Sequence, residues 1–479
     1  MIEDIPPAPP RRGDLTIPSD GAPTRGDLTR GPLFKTLALF SLPVLLGNVL
    51  QSLNASVNTV WIGRLLGEDA LAATSSSNIV IFLVFAAIFG ISMATTVHVG
   101  QYFGARNLDQ MRTSFGAGLG LCMMLSAAIA LVGWFTAPGL LRLLNMPGSS
   151  FHFALDYLRV IFLVVPTMTL TVLVSSAMRG CGDSRTPLYF QILTVILDIG
   201  LNPLFIAGIG PFPRLGIVGA AVATAIATLT GLAGLMGWIY WRDLPIRLKG
   251  RELSYLWPAR EELSFLIMKG VPMGFQMLVI SGAGVIMIGL INQEGIDYAA
   301  GYGALLQLWN YIQMPGLALS AAVSAMVSQH IGARREGRVD AISWAGAGAN
   351  TAITLALVAL MLLFGRPLLS LFLGSDSPAI PVSLHIQTMA IWTYLPFGVT
   401  IVLFGTLRSY GVVFVQIAIL FIAMYAVRLG VYALLYPQLG PDALWWSLNI
   451  SSVTTMALTL LAYFTGNWRK LMRERIAIG

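Results

Sequence analysis

Gln101-Tyr-Phe-Gly-Ala-Arg106 recurs in the chain as Gln329-His-Ile-Gly-Ala-Arg334, displaced by 228 positions, and each copy follows a long apolar run. Working outward from these segments, other landmarks repeat at nearly the same offset. Pro43 and Pro272 stand 229 apart, as do Arg179 with Arg408 and Gly182 with Gly411, while Pro166 and Pro396 stand 230 apart. Anchors held at a near-constant offset indicate duplication. The 479 residues are therefore read as two similar halves.

Each half is built for lipid. The chain is 56% hydrophobic and only 11% charged, against about a quarter charged in a soluble domain, and its mean hydropathy is +0.76. Apolar runs of roughly 20 residues, enough to cross a hydrocarbon core of about 30 Å, recur from Leu33 to Phe464. Their apolarity is continuous rather than alternating, which argues for helices and against a barrel. The runs predict spans at 34–61, 70–97, 114–136, 153–177, 188–208 and 216–240, then 264–291, 300–328, 342–364, 384–406, 412–436 and 443–465. The predicted fold class is an all-α membrane protein, with twelve transmembrane helices in two six-helix lobes related by a parallel internal repeat. An even number of spans per half gives both lobes one orientation, which suits rocking around a central cleft.

Basic residues sort with these spans. The loops on the side of the termini and the linker hold 23 of the 29 Lys and Arg residues, the opposite loops hold Arg64, Arg142, Arg214 and Arg366, and Arg159 and Arg428 lie within spans. By the positive-inside rule both termini are expected in the cytoplasm of a multi-pass cell membrane protein. The same distribution assigns the +7 net charge to topology rather than to nucleic acid. Residues 1–32 read as a disordered cytoplasmic tail, 33–241 as the amino-terminal lobe, 242–262 as a cytoplasmic linker, 263–466 as the carboxy-terminal lobe and 467–479 as a basic cytoplasmic tail. The first tail carries a short repeat, Arg12-Gly-Asp-Leu-Thr16 and Arg25-Gly-Asp-Leu-Thr29, read as low complexity, since an adhesive role would need this end outside the cell. No signal peptide is expected, because the first apolar stretch begins only after Pro32. Cys122 and Cys181 show no CxxC spacing and suggest no disulfide framework.

Acidic residues inside spans are costly, about 2.5–3.5 kcal/mol at a helix centre on insertion scales. Asp198 is the one that sits clearly inside a run, in Gln191-Ile-Leu-Thr-Val-Ile-Leu-Asp-Ile-Gly-Leu-Asn202. Gln191, Thr194, Asp198 and Asn202 share one helical face. Gly47, Gln51, Asn54 and Asn58 form a matching stripe on the first span, and Thr224 and Thr228 another on the sixth. Three such stripes can converge on a wet cavity. Burial disfavours a charged carboxylate, which makes Asp198 a candidate reversible proton carrier; alternatively Asp198 binds Na⁺ with amide and hydroxyl oxygens. The ion-coupling candidates are Asp198, Asn202, Asn58, Asn54 and Thr224, and the competing reading of these residues is simple hydrogen bonding between helices. Gln51, Gln191, Thr194, Gln307, Trp309 and Met314 are candidates to line a substrate cavity. Pro43 and Pro272 are candidate hinges, because an internal proline removes a helical hydrogen bond.

His98, His152, His330 and His385 show no metal-ligand spacing and read as packing or loop residues. The chain contains no GxxxxGK[ST] phosphate loop and no convincing nucleophile constellation, so neither an ATPase nor another enzyme is expected. No cofactor is expected beyond a coupling ion, H⁺ or Na⁺.

Several segments together resemble the multidrug and toxic compound extrusion (MATE) family. They are Leu42-Pro43, Asn58-Thr-Val-Trp-Ile-Gly63, Ala70-Leu-Ala-Ala73, Gln101 to Arg106, Met178-Arg-Gly-Cys-Gly-Asp183, Asn202-Pro-Leu-Phe205 and Leu215-Gly-Ile-Val-Gly-Ala-Ala-Val-Ala-Thr224. The resemblance runs from Leu33 to Tyr463 and is looser in the second half, where Leu407-Arg-Ser-Tyr-Gly411 lacks the usual following acid. It implies a twelve-helix, two-lobe antiporter that exports organic, often cationic amphiphiles in exchange for H⁺ or Na⁺. Members commonly carry an Asp where this chain has Asn58, and an Asn followed four positions later by an Asp on the fifth helix. Here that order is exchanged, Asp198 preceding Asn202. The carboxylate is retained on the same face, one turn away, and the coupling site is expected in the amino-terminal lobe. The expected partners are small organic molecules and the lipid bilayer, with the chain a monomer. The competing functions are a flippase for lipid-linked sugars, which would need several cationic residues facing the cleft, and a non-transporting receptor or scaffold.

Overall fold

Hydrocarbon offers main-chain N–H and C=O groups no partner, so each apolar run must close its own hydrogen bonds. In the computed structural model each does so as a helix. The structure describes residues 26–143, 148–466 and 468. The first Arg-Gly-Asp-Leu-Thr copy and the four basic residues beyond Trp468 lie outside the described residues.

The amino-terminal half contributes α1 (Leu33–Leu66), α2 (Glu68–Gly104), α3 (Leu108–Leu143), α4 (Gly148–Gly180), α5 (Arg185–Ala207) and α6 (Ile217–Trp241). The other half contributes α7 (Arg260–Gln293), α8 (Ile296–Gly332), α9 (Val339–Leu363) and a short α10 (Gly365–Leu373). Its tenth span is broken into α11 (Ala379–Ala390) and α12 (Tyr394–Ser409) by a 3-10 turn. Its eleventh comprises α13 (Phe414–Phe421), a π-helical turn at Ile422–Val427 and α14 (Arg428–Leu439). The last is α15 (Asp442–Thr465). Among the described residues twelve helical stretches are long and apolar enough to cross a membrane, one for each run read from the sequence.

The duplication reaches the backbone. Arg106 and Arg334, the last residues of the repeated hexapeptide, both adopt left-handed φ, at 56° and 55°. Side chains rarely hold this conformation, yet it ends α2 and α8 in the same way. Gly182 and Gly411, another repeated pair, take φ of 79° and 72° at the ends of α4 and α12, where glycine carries no steric penalty.

The two lobes are joined at the end where these turns lie, along α2 against α7 and α8 and along α1 against α8. The join is reciprocal. Gln101 Nε2 donates to the Ser409 carbonyl at 2.8 Å, and Gln329 Nε2 donates to the Gly180 carbonyl at 2.9 Å. Glycine lets the backbones meet: a Cβ on Gly104 would collide with the Gln329 carbonyl, and one on Gly332 with that of Gln101. His98 of α2 and Glu262 in the first turn of α7 approach to 3.1 Å across the lobes, with the His98 ring stacked on Phe265 at 3.7 Å between centroids.

The stretch before α1, read from composition as tail, is packed into this join. Leu28 N–H donates to Gln329 Oε1 at 2.9 Å, Gln329 Nε2 also reaches Gly26 O at 3.3 Å, and Arg338 donates to the carbonyls of Thr29 and Gly31. Leu28 and Thr29 are buried. Residues 26–31, which hold all of the second Arg-Gly-Asp-Leu-Thr copy except its first residue, thus form a strap across the two lobes. The linker is pinned to α3, with Arg112 bonding Glu252 and the Pro245 carbonyl, and Tyr255 O–H donating to Asp109 at 2.8 Å.

A candidate ion-coupling site in the amino-terminal lobe

The polar stripes read on α1 and α5 meet. The two helices run parallel, and the contact repeats every seven residues, the spacing at which parallel helices keep one seam facing a partner. Gln191 donates to the Gly47 carbonyl at 2.9 Å and to Gln51 Oε1 at 3.2 Å. One heptad on, Asp198 meets Asn54 and Asn58. Both rungs pair residues 144 and 140 positions apart, so one register sets the whole ladder.

Asp198 is 1% exposed and accepts four side-chain hydrogen bonds. Its Oδ2 takes Asn54 Nδ2 at 2.7 Å and Asn58 Nδ2 at 2.8 Å. Its Oδ1 takes Thr224 Oγ1 of α6 at 2.9 Å and Asn202 Nδ2 at 3.1 Å. Asn202 Nδ2 also lies near the Asp198 carbonyl at 2.8 Å and Asn58 Oδ1 at 3.0 Å, closing the cluster on itself. All five ion-coupling candidates therefore lie in one contact set formed by α1, α5 and α6. Every partner of the carboxylate is neutral.

That choice of partners has chemical consequences. A hydrogen bond to a charged group contributes about 1.5–3 kcal/mol, so four of them outweigh the about 2.5–3.5 kcal/mol cost of an acid within a span without a fixed cation. Amide and hydroxyl groups are also ambivalent, since Asn carries a donor and an acceptor on one rotatable group. Asn54 Oδ1 and Asn202 Oδ1 are buried with no hydrogen-bond partner. With the carboxylate and Thr224 Oγ1 they make a set of hard oxygen donors of the kind that holds a small cation. The residues fit Na⁺, and they equally fit a proton shared between carboxylate and amide oxygen.

The other sequence candidates fall elsewhere. Thr194 donates to the Phe190 carbonyl of its own helix. Gln307 is exposed on α8, whereas Trp309 and Met314 on the same helix are buried within the carboxy-terminal lobe. Pro43 and Pro272 are both buried, and α1 and α7 run on through them. Gln101 and Gln329 are joining groups that the sequence does not single out, although each opens the repeated hexapeptide. His98 reads from the sequence as a packing residue and Glu262 as part of the linker. The two become partners only when α2 and α7 are set side by side.

The comparisons with known proteins agree with this architecture. The MatE family model matches residues 43–204 and 272–433, one block in each half. The probable multidrug resistance protein YoeA of Bacillus subtilis is 31% identical over 93% of this chain and 96% of its own. A protein of Shewanella oneidensis named FAD transporter is 26% identical over 81% of this chain and 84% of its own. Among solved structures, one described as the outward-facing conformation of a multidrug resistance MATE family transporter of the MOP superfamily superposes with a TM-score of 0.85 at 21% identity. It covers 96% of this chain and 99% of that one. With a family block in each half and close to full-length relatives, this chain belongs to the MatE family, whose members are transporters and not enzymes.

Proposed function

We propose that the chain is a secondary active antiporter that exports organic amphiphiles in exchange for H⁺ or Na⁺, with Asp198 as the group that loads and unloads the ion. One observation carries this reading: a carboxylate buried within a span, held by neutral groups that can each turn from donor to acceptor. A permanent ion pair would fix the charge state of Asp198; amides and a hydroxyl leave it free to change. Gln51 and Gln191, on the neighbouring rung, extend the polar surface that a substrate meets.

The lobes joined at the end with the basic loops would be the outward-facing state, given cytoplasmic termini. Substrate leaves from it, Asp198 takes an ion from outside, and the lobes rock inward to release that ion. Moving one charge through 100 mV supplies about 2.3 kcal/mol, roughly fifty-fold in concentration. Relatives named as multidrug resistance proteins support organic cargo. The flippase alternative is weaker, because Arg159 and Arg428, the cations within spans, lie in different lobes and Arg159 stacks over Trp134.

The test is transport in proteoliposomes with pH and Na⁺ gradients imposed one at a time. Uphill movement of a fluorescent amphiphile is expected with one gradient and not with its absence. Equal rates with both gradients collapsed would reject antiport.

A further inference from the structure

His98 of α2 and Glu262 of α7 bridge the two lobes with titratable side chains, His98 Nδ1 standing 3.1 Å from Glu262 Oε2. The pair is shielded from water, its side chains being 14% and 10% exposed. Ser114 Oγ of α3 lies 3.2 Å from the same ring nitrogen. The Phe265 ring of α7 stacks on the imidazole at 3.7 Å, nearly in parallel at 9°.

The repeat shows that joining the lobes does not itself require these groups. Met326 of α8 follows His98 by 228 positions, as Gln329 follows Gln101. Leu33 stands ten residues before Pro43, as Glu262 stands ten before Pro272. Met326 is buried in an apolar cluster against which Leu33 packs. One side of the join is thus closed at this level by apolar side chains, and the other by an acid and an imidazole. An acid and a base cost far more to desolvate than two apolar groups, so stability alone does not account for the choice.

We propose that His98 and Glu262 form a proton-binding latch, separate from Asp198, which holds the lobes joined when His98 is protonated. In the joined state a charged imidazole has a carboxylate at hydrogen-bond distance and an aromatic face that attracts cations. Cations on the surrounding elements are directed elsewhere. Arg112 of α3 bonds Glu252, Arg179 of α4 bonds Ser176, Lys269 of α7 bonds the Gly411 carbonyl, and Arg408 of α12 lies against Met93 Sδ. Tyr102, 4.8 Å away on α2 itself, adds an uncharged phenol, and Glu261, next to Glu262, is exposed. When the lobes part, Glu262 leaves with α7 and water takes its place at the ring. The joined state therefore holds the proton more tightly, and by linkage the proton favours the joined state. Histidine changes charge between about pH 5 and 8, so joining is favoured at the acid end of that range and weakened as pH rises through it. On the antiport reading above, the compartment sensed is the cytoplasm, and its acidification slows the inward rocking step. That consequence rests on the antiport reading; the latch does not.

The experiment measures the ratio of separated to joined lobes at about pH 5.5 and about pH 8. The readout is single-molecule energy transfer between dyes at Leu108 and Gly337, one on each lobe, with Cys122 and Cys181 replaced. The full chain is held in nanodiscs without substrate, Na⁺ or a gradient, so failure of the antiport reading leaves the result unaffected. It carries Gln101→Ala, which removes one bond of the join and brings both states into range. The ratio should rise about tenfold from the lower to the higher pH. His98→Met, which places the α8 residue in α2, and Glu262→Gln should each hold the change below about twofold. Asp198→Asn should keep it. A ratio that does not move with pH, or that moves as much in His98→Met, overturns the latch. So does a response abolished by Asp198→Asn with His98 in place, which would assign it to the coupling carboxylate. If His98→Met is not recovered as a monodisperse protein, an undiminished response in Glu262→Gln overturns the latch instead.

Discussion

Replacing Gln329 by Ala should open the join between the lobes, and its three hydrogen bonds set the size of the effect. Gln329 is fully buried and bonds Leu28 N–H, Gly26 O and Gly180 O. In the joined state these main-chain groups would lose their partner without gaining water, whereas in a separated state water replaces it. At about 0.5–1.5 kcal/mol net for each neutral bond, the joined state loses about 2–4 kcal/mol, or about 30- to 1,000-fold in the equilibrium between states. Gln101→Ala removes the bond to Ser409 O, so its shift should be about fivefold. Spin labels at Asn107 and Gly337, one on each lobe, in a background with Cys122 and Cys181 replaced, report the separation as a distance distribution. Wild type should give one short distance, Gln101→Ala a minor longer one, and Gln329→Ala a dominant longer one. Identical distributions for Gln329→Ala and wild type would refute the reasoning, as would a larger effect from Gln101→Ala.

Removing residues 1–31 should shift the same distances in the same direction. Combined with Gln329→Ala it should add little, because the strap and Gln329 share their bonds; full additivity would contradict a shared contact. Gly332→Ala should keep the lobes apart and slow transport, since its new methyl group meets the Gln101 carbonyl, and normal turnover would argue against closure at this glycine. Asn202→Ala removes the amide that ties Asp198 to Asn58. It should lower thermal stability in detergent by about 1–3 kcal/mol, and an unchanged melting temperature would show that the cluster is not held this way.

The twelve spans and their pairing into halves were legible because lipid leaves the chain few options, and because landmarks such as Pro43 and Pro272 survive duplication. The contacts of Asp198 were legible for a related reason. Three- and four-residue spacing puts Asn54 with Asn58 and Asp198 with Asn202 on single faces, and lone polar faces in an apolar bundle seek each other. The join was not legible. Periodicity says which face of α2 or α8 is polar or small, but not which lobe it will touch, so Gln101 and Gln329 looked like helix-end residues. Composition likewise sent the second Arg-Gly-Asp-Leu-Thr copy to the tail, although Leu28 is buried and its N–H is bonded to Gln329. Trp309 and Met314 recur at helical spacing in the same way whether they line a cavity or fill a core.

Asp198→Asn, assayed for gradient-driven export in proteoliposomes, tests the role of this carboxylate most directly. The two hydrogen bonds at one oxygen become neutral, and the two at the new NH2, which can only donate, become neutral once those partners turn their own oxygens toward it, a loss of about 1 kcal/mol each, while about 2.5–3.5 kcal/mol of burial cost disappears. The net change of about 1 kcal/mol should leave the variant folded, with no buried cation stranded by the substitution. Its downhill exchange of substrate should persist, and its uphill export under the coupling gradient should vanish. Uphill export at the wild-type rate would place ion coupling elsewhere in the molecule.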